Sequence, residues 1–311
     1  MYCAGIDIGG TTVKIGIFTV EGDIVDKWEI PTRKENNGEN ILGDVAESVL
    51  AKMKEHNISK EQIKGIGIGV PGPILEDGTV LKCANLGWGV FNVAEEVEKL
   101  TGISNVKVGN DANVAALGEM WKGGGKGFKS LVMITLGTGV GGGVILNERI
   151  LTGSNGAAGE IGHLVMRMDE PDTCGCGKKG CLEQYASASG IVKEAKRTLA
   201  LVTTPSPLRE IEPLTAKDIF DYAKQGDALA MELVENLGNN LGLACSHIAQ
   251  IMDPEAFVIG GGVSKAGTIL IDVIEKNYND KVMFALKDKH FCLATLGNDA
   301  GIYGSARLVL E

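Results

Sequence analysis

The chain has 311 residues, of which 44% are hydrophobic and 23% charged, and its formal net charge is −10. This length suffices for two domains with separate cores, and the composition is that of a soluble globular protein. The acidic balance excludes general affinity for nucleic acid or anionic membrane; with no apolar run of ~20 residues and no basic leader, a cytoplasmic location is expected.

Residues 2–8 read as an apolar strand, Gly9-Gly10-Thr11-Thr12 as a turn, and residues 13–20 as a returning strand. The stretch from Asp7 to Lys14 is a candidate phosphate hairpin. Gly9 and Gly10 leave backbone N–H groups open, the Thr11 and Thr12 hydroxyls donate to phosphate oxygens, and Asp7 can hold Mg²⁺ through water. A helix over 41–56, a strand over 63–70, a helix over 92–100 and a strand over 106–108 follow. Asn110-Asp111 then opens a helix running to 121. Asp111 alone reads as a helix cap. Beside two phosphate hairpins it becomes a candidate base for a substrate hydroxyl, with Asn110 and Asn85 orienting that substrate.

The second hairpin has a strand at 130–136, a turn at 137–142 carrying Gly137, Thr138 and Gly139, and a return at 143–146. It matches G-x-G-x-x-G, but a strand follows where a dinucleotide fold requires a helix, and no Walker P-loop occurs. Helices are expected at 191–199, 216–223 and 228–250, a loop at 201–213, a strand at 257–259 and a last helix at 301–310. Between that strand and a following helix lies Gly260-Gly261-Gly262-Val263-Ser264, a glycine-rich helix start suited to nucleotide contact. A hairpin followed by alternating helices and strands occurs twice, which predicts two duplicated α/β domains with a cleft between them, divided near residue 117.

His163, Cys174, Cys176 and Cys181 form the densest cluster of metal donors. Three thiolates and an imidazole make a closed, tetrahedral, structural zinc shell, favoured over a redox cysteine pair. If one His163 nitrogen binds metal, the other can donate to a ligand hydroxyl. Glu160 and Glu183 flank the knot with carboxylates. Cys3, Cys83, Cys245 and Cys292 are expected to be buried thiols without chemistry.

Together these motifs resemble the ROK family of sugar kinases and repressors, and within it most closely the bacterial glucokinases. The likeness runs from Asp7-Ile8-Gly9-Gly10-Thr11-Thr12 through Val70-Pro71-Gly72-Pro73, Asn85-Leu86-Gly87-Trp88 and Asn110-Asp111-Ala112-Asn113. It continues through Gly118-Glu119-Met120-Trp121, Leu136-Gly137-Thr138-Gly139, Glu160-Ile161-Gly162-His163, the cysteine knot and Gly260-Gly261-Gly262-Val263-Ser264. The resemblance implies an actin-like ATPase (ribonuclease-H-like) fold. Its domains would be 1–117, joined by the C-terminal helix over 299–311, and 118–298 with the zinc loop.

By the same resemblance, Asp111 is the catalytic base that lets the 6-hydroxyl of glucose take the γ-phosphoryl of MgATP. Asn85, Asn110, Glu160, His163 and Glu183 would hold the sugar. The two hairpins would hold the ATP phosphates, Gly261 and Gly262 the adenosine side, and the four-ligand knot structural Zn²⁺. A homodimer or homotetramer is implied. Alternatives are a kinase for fructose, mannose or N-acetylmannosamine, polyphosphate as donor, or a sugar-binding repressor. The repressor reading suffers from the acidic charge and from a first strand that starts at residue 2, leaving no helix-turn-helix.

Overall fold

The computed structural model describes residues 1–310; Glu311, the last residue of the expected 299–311 segment, lies outside the described residues. In chain order, β1 (Tyr2–Ile8), β2 (Thr12–Thr19) and β3 (Ile24–Pro31) form an antiparallel meander. A single turn, α1 (Glu35–Gly38), leads to α2 (Ile41–Glu55) and β4 (Ile63–Val70). The short ribbon of β5 (Thr79–Val80) and β6 (Phe91–Asn92) precedes α3 (Val93–Thr101), β7 (Val106–Asn110) and α4 (Asp111–Lys122). The five main strands make one sheet in the order β3-β2-β1-β4-β7, with β1, β4 and β7 parallel.

The second half repeats this design with β8 (Leu131–Leu136), β9 (Val140–Leu146), β10 (Arg149–Ile150), β11 (Ala256–Gly260) and β12 (His290–Leu293). Their order is β10-β9-β8-β11-β12, and β8, β11 and β12 are parallel. Position by position this is the first sheet again: hairpin, edge strand, then two parallel strands. The helices are α5 (Glu183–Ala186), α6 (Ala188–Leu201), α7 (Ala216–Lys224), α8 (Ala228–Met252), α9 (Thr268–Lys281) and α10 (Ala300–Leu308).

Strands β3, β5, β6, β10 and β12 and the short helices α1 and α5 escape the sequence pattern. β3 is an edge strand whose residues alternate toward solvent, so its charged side chains mask it. β12 is four residues long. The glycine turn after β11 enters a 3-10 turn, Gly262–Ala266, and α9 starts only at Thr268, so the glycines do not cap an α-helix as expected.

The chain divides into two compact units: Met1–Lys129 with Gly143–Gly159 and Leu296–Glu311, and Ser130–Gly142 with Glu160–Thr295. The expected boundary near residue 117 moves, because α4 is one continuous helix through that position and packs along its length on α10. In the first unit the core joins Ile6, Ile15, Ile66 and Ile68 of the strands to Val45, Val49 and Val97 of α2 and α3. A smaller cluster of Cys3, Phe18, Ile302 and Ala306 seats α10. Among the described residues, no helix is long and apolar enough to cross a membrane.

Glycine sets how closely α10 approaches its neighbours. A methyl on Gly5 would lie 2.0 Å from the Ile302 carbonyl oxygen, on Gly67 1.6 Å from that of Ser305, and on Gly304 1.5 Å from that of Val114. Each clash is with backbone, which cannot step aside as a side chain can. Gly304→Ala is therefore expected to lower the unfolding free energy by at least about 3 kcal/mol through overpacking. Gly43→Ala, in α2 with nothing within 4 Å, is expected to raise it by roughly 0.5–1 kcal/mol through helix propensity. Urea titration of both variants checks the pair; equal effects would refute the packing argument.

Candidate active site

In the first unit the β1–β2 turn is held tight by its own backbone: the Gly9 N–H donates to the Thr12 carbonyl at 3.0 Å. Thr32 reinforces it, its hydroxyl donating to the Gly9 carbonyl at 2.7 Å and its N–H to that of Thr11 at 3.0 Å. Both braces grip carbonyls, which leaves the amide side of the turn for an anion. Asp7, at the end of β1 and opposite Lys14 in register, sits under this turn. Its carboxylate packs on Gly301 in the first turn of α10, where a side chain would come within 2.5 Å of Oδ2.

Burial, followed by the negative charge of Asp111, pushes Asp7 up to about 6, against the pull of Lys14. Two carboxylates that repel one another in a part-buried pocket are a fitting donor set for a hard, oxygen-liganded cation such as Mg²⁺. Lys14 does not reach toward the turn tip: its ammonium donates to the Asn298 carbonyl at 3.0 Å. Its charge acts here through Asp7.

Asp111 begins α4, and Asn110 is the cap. The Asn110 side chain accepts from the N–H groups of Ala112 at 3.0 Å and Asn113 at 3.3 Å, and donates to the Gly72 carbonyl at 3.1 Å. The capping role considered for Asp111 therefore belongs to Asn110, which leaves Asp111 exposed with Oδ1 oriented by the Ala112 N–H at 2.9 Å. A carboxylate held at a helix start, beside Asp7 and the phosphate turn, is placed to take a proton from a hydroxyl. Asn85 lies at the tip of a tight hairpin in which Cys83 and Trp88 exchange backbone hydrogen bonds at 3.1 and 3.0 Å. Buried Leu86 and Trp88 anchor that hairpin. Cys83 is buried as expected, and burial raises its thiol pKa; the Asp111 charge adds to the rise, which places the Asn85 hairpin within electrostatic reach of Asp111.

In the second unit the β8–β9 turn is tighter than the sequence suggests, since β9 starts at Val140. The Gly137 N–H donates to the Gly139 carbonyl at 3.0 Å, and α6 secures the turn from behind through Ala188 N–H to Gly137 at 2.8 Å and the Ser189 hydroxyl to Thr138 at 2.6 Å. Glu183 reaches the same turn, accepting the Val140 N–H at 3.1 Å, while its other oxygen meets Cys174 Sγ at 3.7 Å. A methyl at Gly139 would lie 2.1 Å from Glu183 Oε2, so a side chain there would displace this carboxylate from the Val140 N–H. Gly261, at φ +83°, is pressed on the Leu136 carbonyl, where a methyl would stand 2.5 Å away. Beside Gly262 opens a cavity of about 350 Å³ walled by Ala188, Ala216, Phe220 and Val263, large enough and apolar enough for a nucleoside.

His163, Cys174, Cys176 and Cys181 converge as expected, with all four donor atoms within 4.8 Å of one another. Cys176 and Cys181 sulfurs are 3.6 Å apart, and His163 Nδ1 is 3.7 Å from Cys174 Sγ. A tetrahedral shell with Zn–S bonds near 2.3 Å has edges of about 3.8 Å, so the set fits zinc by chemistry and by spacing. Nδ1 faces the sulfurs; Nε2 faces outward, 4.0 Å from Glu160 Oε2. Gly180, at φ +76°, lets Met166 and Arg167 donate to its carbonyl at 2.7 and 3.3 Å.

An ion-pair network that the sequence reading missed ties this loop to α6. Buried Glu170 accepts from Arg197 at 2.6 and 3.0 Å and from the Tyr185 hydroxyl at 2.7 Å. Arg197 also meets Glu194 at 2.9 Å and Asp172 at 2.5 Å, and Arg167 stacks on Tyr185 at 4.1 Å. The Arg197 hydrogen bonds hold the Glu170 carboxyl down at about 2 despite burial. No local motif signals it, because the partners lie 27 residues apart.

A model of the ROK family matches residues 3–311. The chain is 44% identical over 315 residues to a glucokinase of Halalkalibacterium halodurans, covering 100% of this chain and 95% of that one. It is 36% identical over 317 residues to a glucokinase of Thermotoga maritima, covering 99% and 96%. Among solved structures it is similar to a ROK family glucokinase from Streptomyces griseus in complex with glucose and AMPPNP, with a TM-score of 0.75 and 32% identity over 99% of each chain. A ROK hexokinase from Thermus thermophilus superposes with a TM-score of 0.80 at 30% identity, over 99% of this chain and 97% of that one. The duplicated sheets are those of the actin-like ATPase fold.

The metal knot and its brace yield two expectations. Cys176→Ser should lower bound zinc, measured by elemental analysis, from about one equivalent per chain to near none, and protease cleavage within 164–183 should accelerate; full zinc retention would exclude this ligand set. An unfolded glutamate titrates near 4.3, so the Glu170 contribution is complete above about pH 5 and is lost as pH falls toward 2. That loss should be about 3 kcal/mol in denaturant melts, and Glu170→Gln should flatten it.

Proposed function

The chain belongs to the ROK family, and from that membership we propose that it is a glucokinase, transferring the γ-phosphoryl of ATP to the 6-hydroxyl of glucose. It is an ATP-dependent sugar kinase. The observation that carries the reading is Asp111: exposed at a helix start, relieved of capping by Asn110, and electrostatically coupled to Asp7 beneath the phosphate turn.

Phosphoryl transfer asks the protein for positioning and charge neutralisation more than for covalent chemistry. Gly10, Thr11 and Thr12 on one hairpin and Thr138 and Gly139 on the other offer donors to the ATP phosphates, while the N–H groups of Gly9 and Gly137, expected to be open, are spent within their own turns. The cavity beside Gly261 and Gly262 takes the adenosine side. Asp7 would hold Mg²⁺ through water, and the ion would supply charge neutralisation to the phosphates. Asn85, Asn110, Glu160, His163 and Glu183 fix the sugar hydroxyls. Asp111 accepts the proton of the 6-hydroxyl as its oxygen attacks phosphorus. Lys14 acts by holding Asp7 and the Asn298 segment in place.

Structural zinc on His163, Cys174, Cys176 and Cys181 would keep His163 oriented, with Nε2 free to meet a sugar hydroxyl. A cytoplasmic location, a place at the entry of glycolysis and a homo-oligomeric state belong to the same proposal.

Initial-rate kcat/KM across glucose, fructose, mannose and N-acetylmannosamine, with ATP or polyphosphate as donor, tests it. Glucose with ATP should lead; a hundredfold preference for another sugar would overturn the glucose assignment. Asp111→Asn should cut kcat by ~10²–10⁴ while glucose affinity, measured calorimetrically, changes less than a few-fold. Unchanged kcat would remove Asp111 from the role of base.

A further inference from the structure

The single turn α1 is left-handed at its centre. Asn36 and Asn37 have φ of +49° and +59°, and Gly38 follows at +69°. Asparagine tolerates this region better than most side chains, but two in a row are costly and persist only where their surroundings hold them. Here the Asn36 amide donates to the Glu39 carboxylate at 2.8 Å, and the Gly38 N–H to the Lys34 carbonyl at 3.2 Å. What the turn delivers is the Gly38 carbonyl, which accepts the indole N–H of Trp88 at 3.2 Å, 50 residues along the chain.

The two segments meet at the level of the backbone. A methyl on Gly38 would lie 2.7 Å from the Leu86 carbonyl oxygen, and one on Gly87, itself at φ +77°, 3.0 Å from Asn37 Cα. Leu86 and Trp88 are buried, whereas Asn85 at the hairpin tip is exposed. Beside this contact the turn and the hairpin border a cavity of about 520 Å³, walled by Asn37, Leu42, Gly89 and Leu100, so no packed layer holds them from that side. The buried indole N–H is the directional tie between them. A few residues earlier, Thr32 grips the phosphate turn through the Gly9 and Thr11 carbonyls. Residues 32–38 thus touch the phosphate turn at one end and the Asn85 hairpin at the other.

We propose that Trp88 is a positioning residue for sugar recognition: through Gly38 it ties the Asn85 hairpin to the segment that braces the phosphate turn. That tie sets where Asn85 meets a sugar hydroxyl. The inference rests on the kinase reading, in which Asn85 binds glucose, and Trp88 acts through Asn85.

Steady-state kinetics on the full-length enzyme, with glucose and ATP varied in turn, test this by a double-mutant cycle. Trp88→Phe keeps an aromatic ring and removes the N–H. It should raise the glucose KM at least about fivefold, with kcat and the ATP KM within about twofold of wild type. Asn85→Ala should raise the glucose KM at least as much, and adding Trp88→Phe to it should change that value less than about twofold further. Gly38→Ala, which presses on the Leu86 carbonyl from the other side of the contact, should repeat the Trp88→Phe pattern and serves if the indole variant folds poorly. A merely structural role would lower the melting temperature and the active fraction without a selective rise in the glucose KM. The proposal is overturned if Trp88→Phe or Gly38→Ala folds and keeps the wild-type glucose KM, or if the effects of Trp88→Phe and Asn85→Ala multiply. Asn85→Ala with an unchanged glucose KM overturns it together with the place of Asn85 in the sugar site. Wild type that phosphorylates no hexose is a distinct result, which overturns the kinase reading and this inference with it.

Discussion

The seating of α10 is the constraint on which the first unit depends. A helix from the end of the chain lies on β1 and β4 so closely that Gly5 and Gly67 admit no side chain, and it crosses α4 at Gly118 and Gly304 under the same condition. The core gain of a larger residue at these points is given up for helix–strand proximity. Function follows from that proximity. Gly301 at the head of α10 leaves room for the Asp7 carboxylate, and the positive end of the helix lies beside that charge. The crossing with α4 fixes the helix whose first residue is Asp111. Ser305 completes the seat, its hydroxyl donating to the Ile6 carbonyl at 2.8 Å, just before Asp7 in β1.

The second unit solves an analogous problem with different materials. Its phosphate turn is not braced by a terminal helix but by α6, Glu183 and the Gly261 turn, each pressing on residues 136–140. Glu183 also meets Cys174, so the metal knot and the phosphate turn share one carboxylate. The knot is only partly in the core: Cys174 and Cys181 are buried, whereas Cys176 is exposed and Met168 is 93% exposed. Burial alone holds only part of such a loop. The Glu170–Arg197 network holds the rest through a bidentate guanidinium contact, and zinc on the four donors would add directional metal–ligand bonds.

Electrostatics distinguish otherwise similar side chains. Asp7 and Asp111 are both aspartates at the ends of strand-to-turn passages, yet one is forced upward by burial and the other stays at the surface. Glu170 is more buried than Asp7 but moves the opposite way, because a guanidinium and a phenol donate to it. Burial alone therefore predicts neither charge state nor role; the donors within reach decide.

From the sequence by itself came the two glycine hairpins, the metal knot and most helices, because each rests on contiguous or closely spaced residues whose chemistry is local. The duplicated α/β pattern was legible for the same reason, as was the failure of the dinucleotide reading, since the strand after Gly142 is visible in its apolar run. Tertiary structure decided the rest. It gave the cap of α4 to Asn110 and not to Asp111, turned Lys14 toward Asn298, shifted the division of the chain away from residue 117, and brought Glu170 to Arg197. Apart from the cap, whose bonds run only two and three residues along the chain, each is settled by partners tens to hundreds of residues away, and only folding sets those distances.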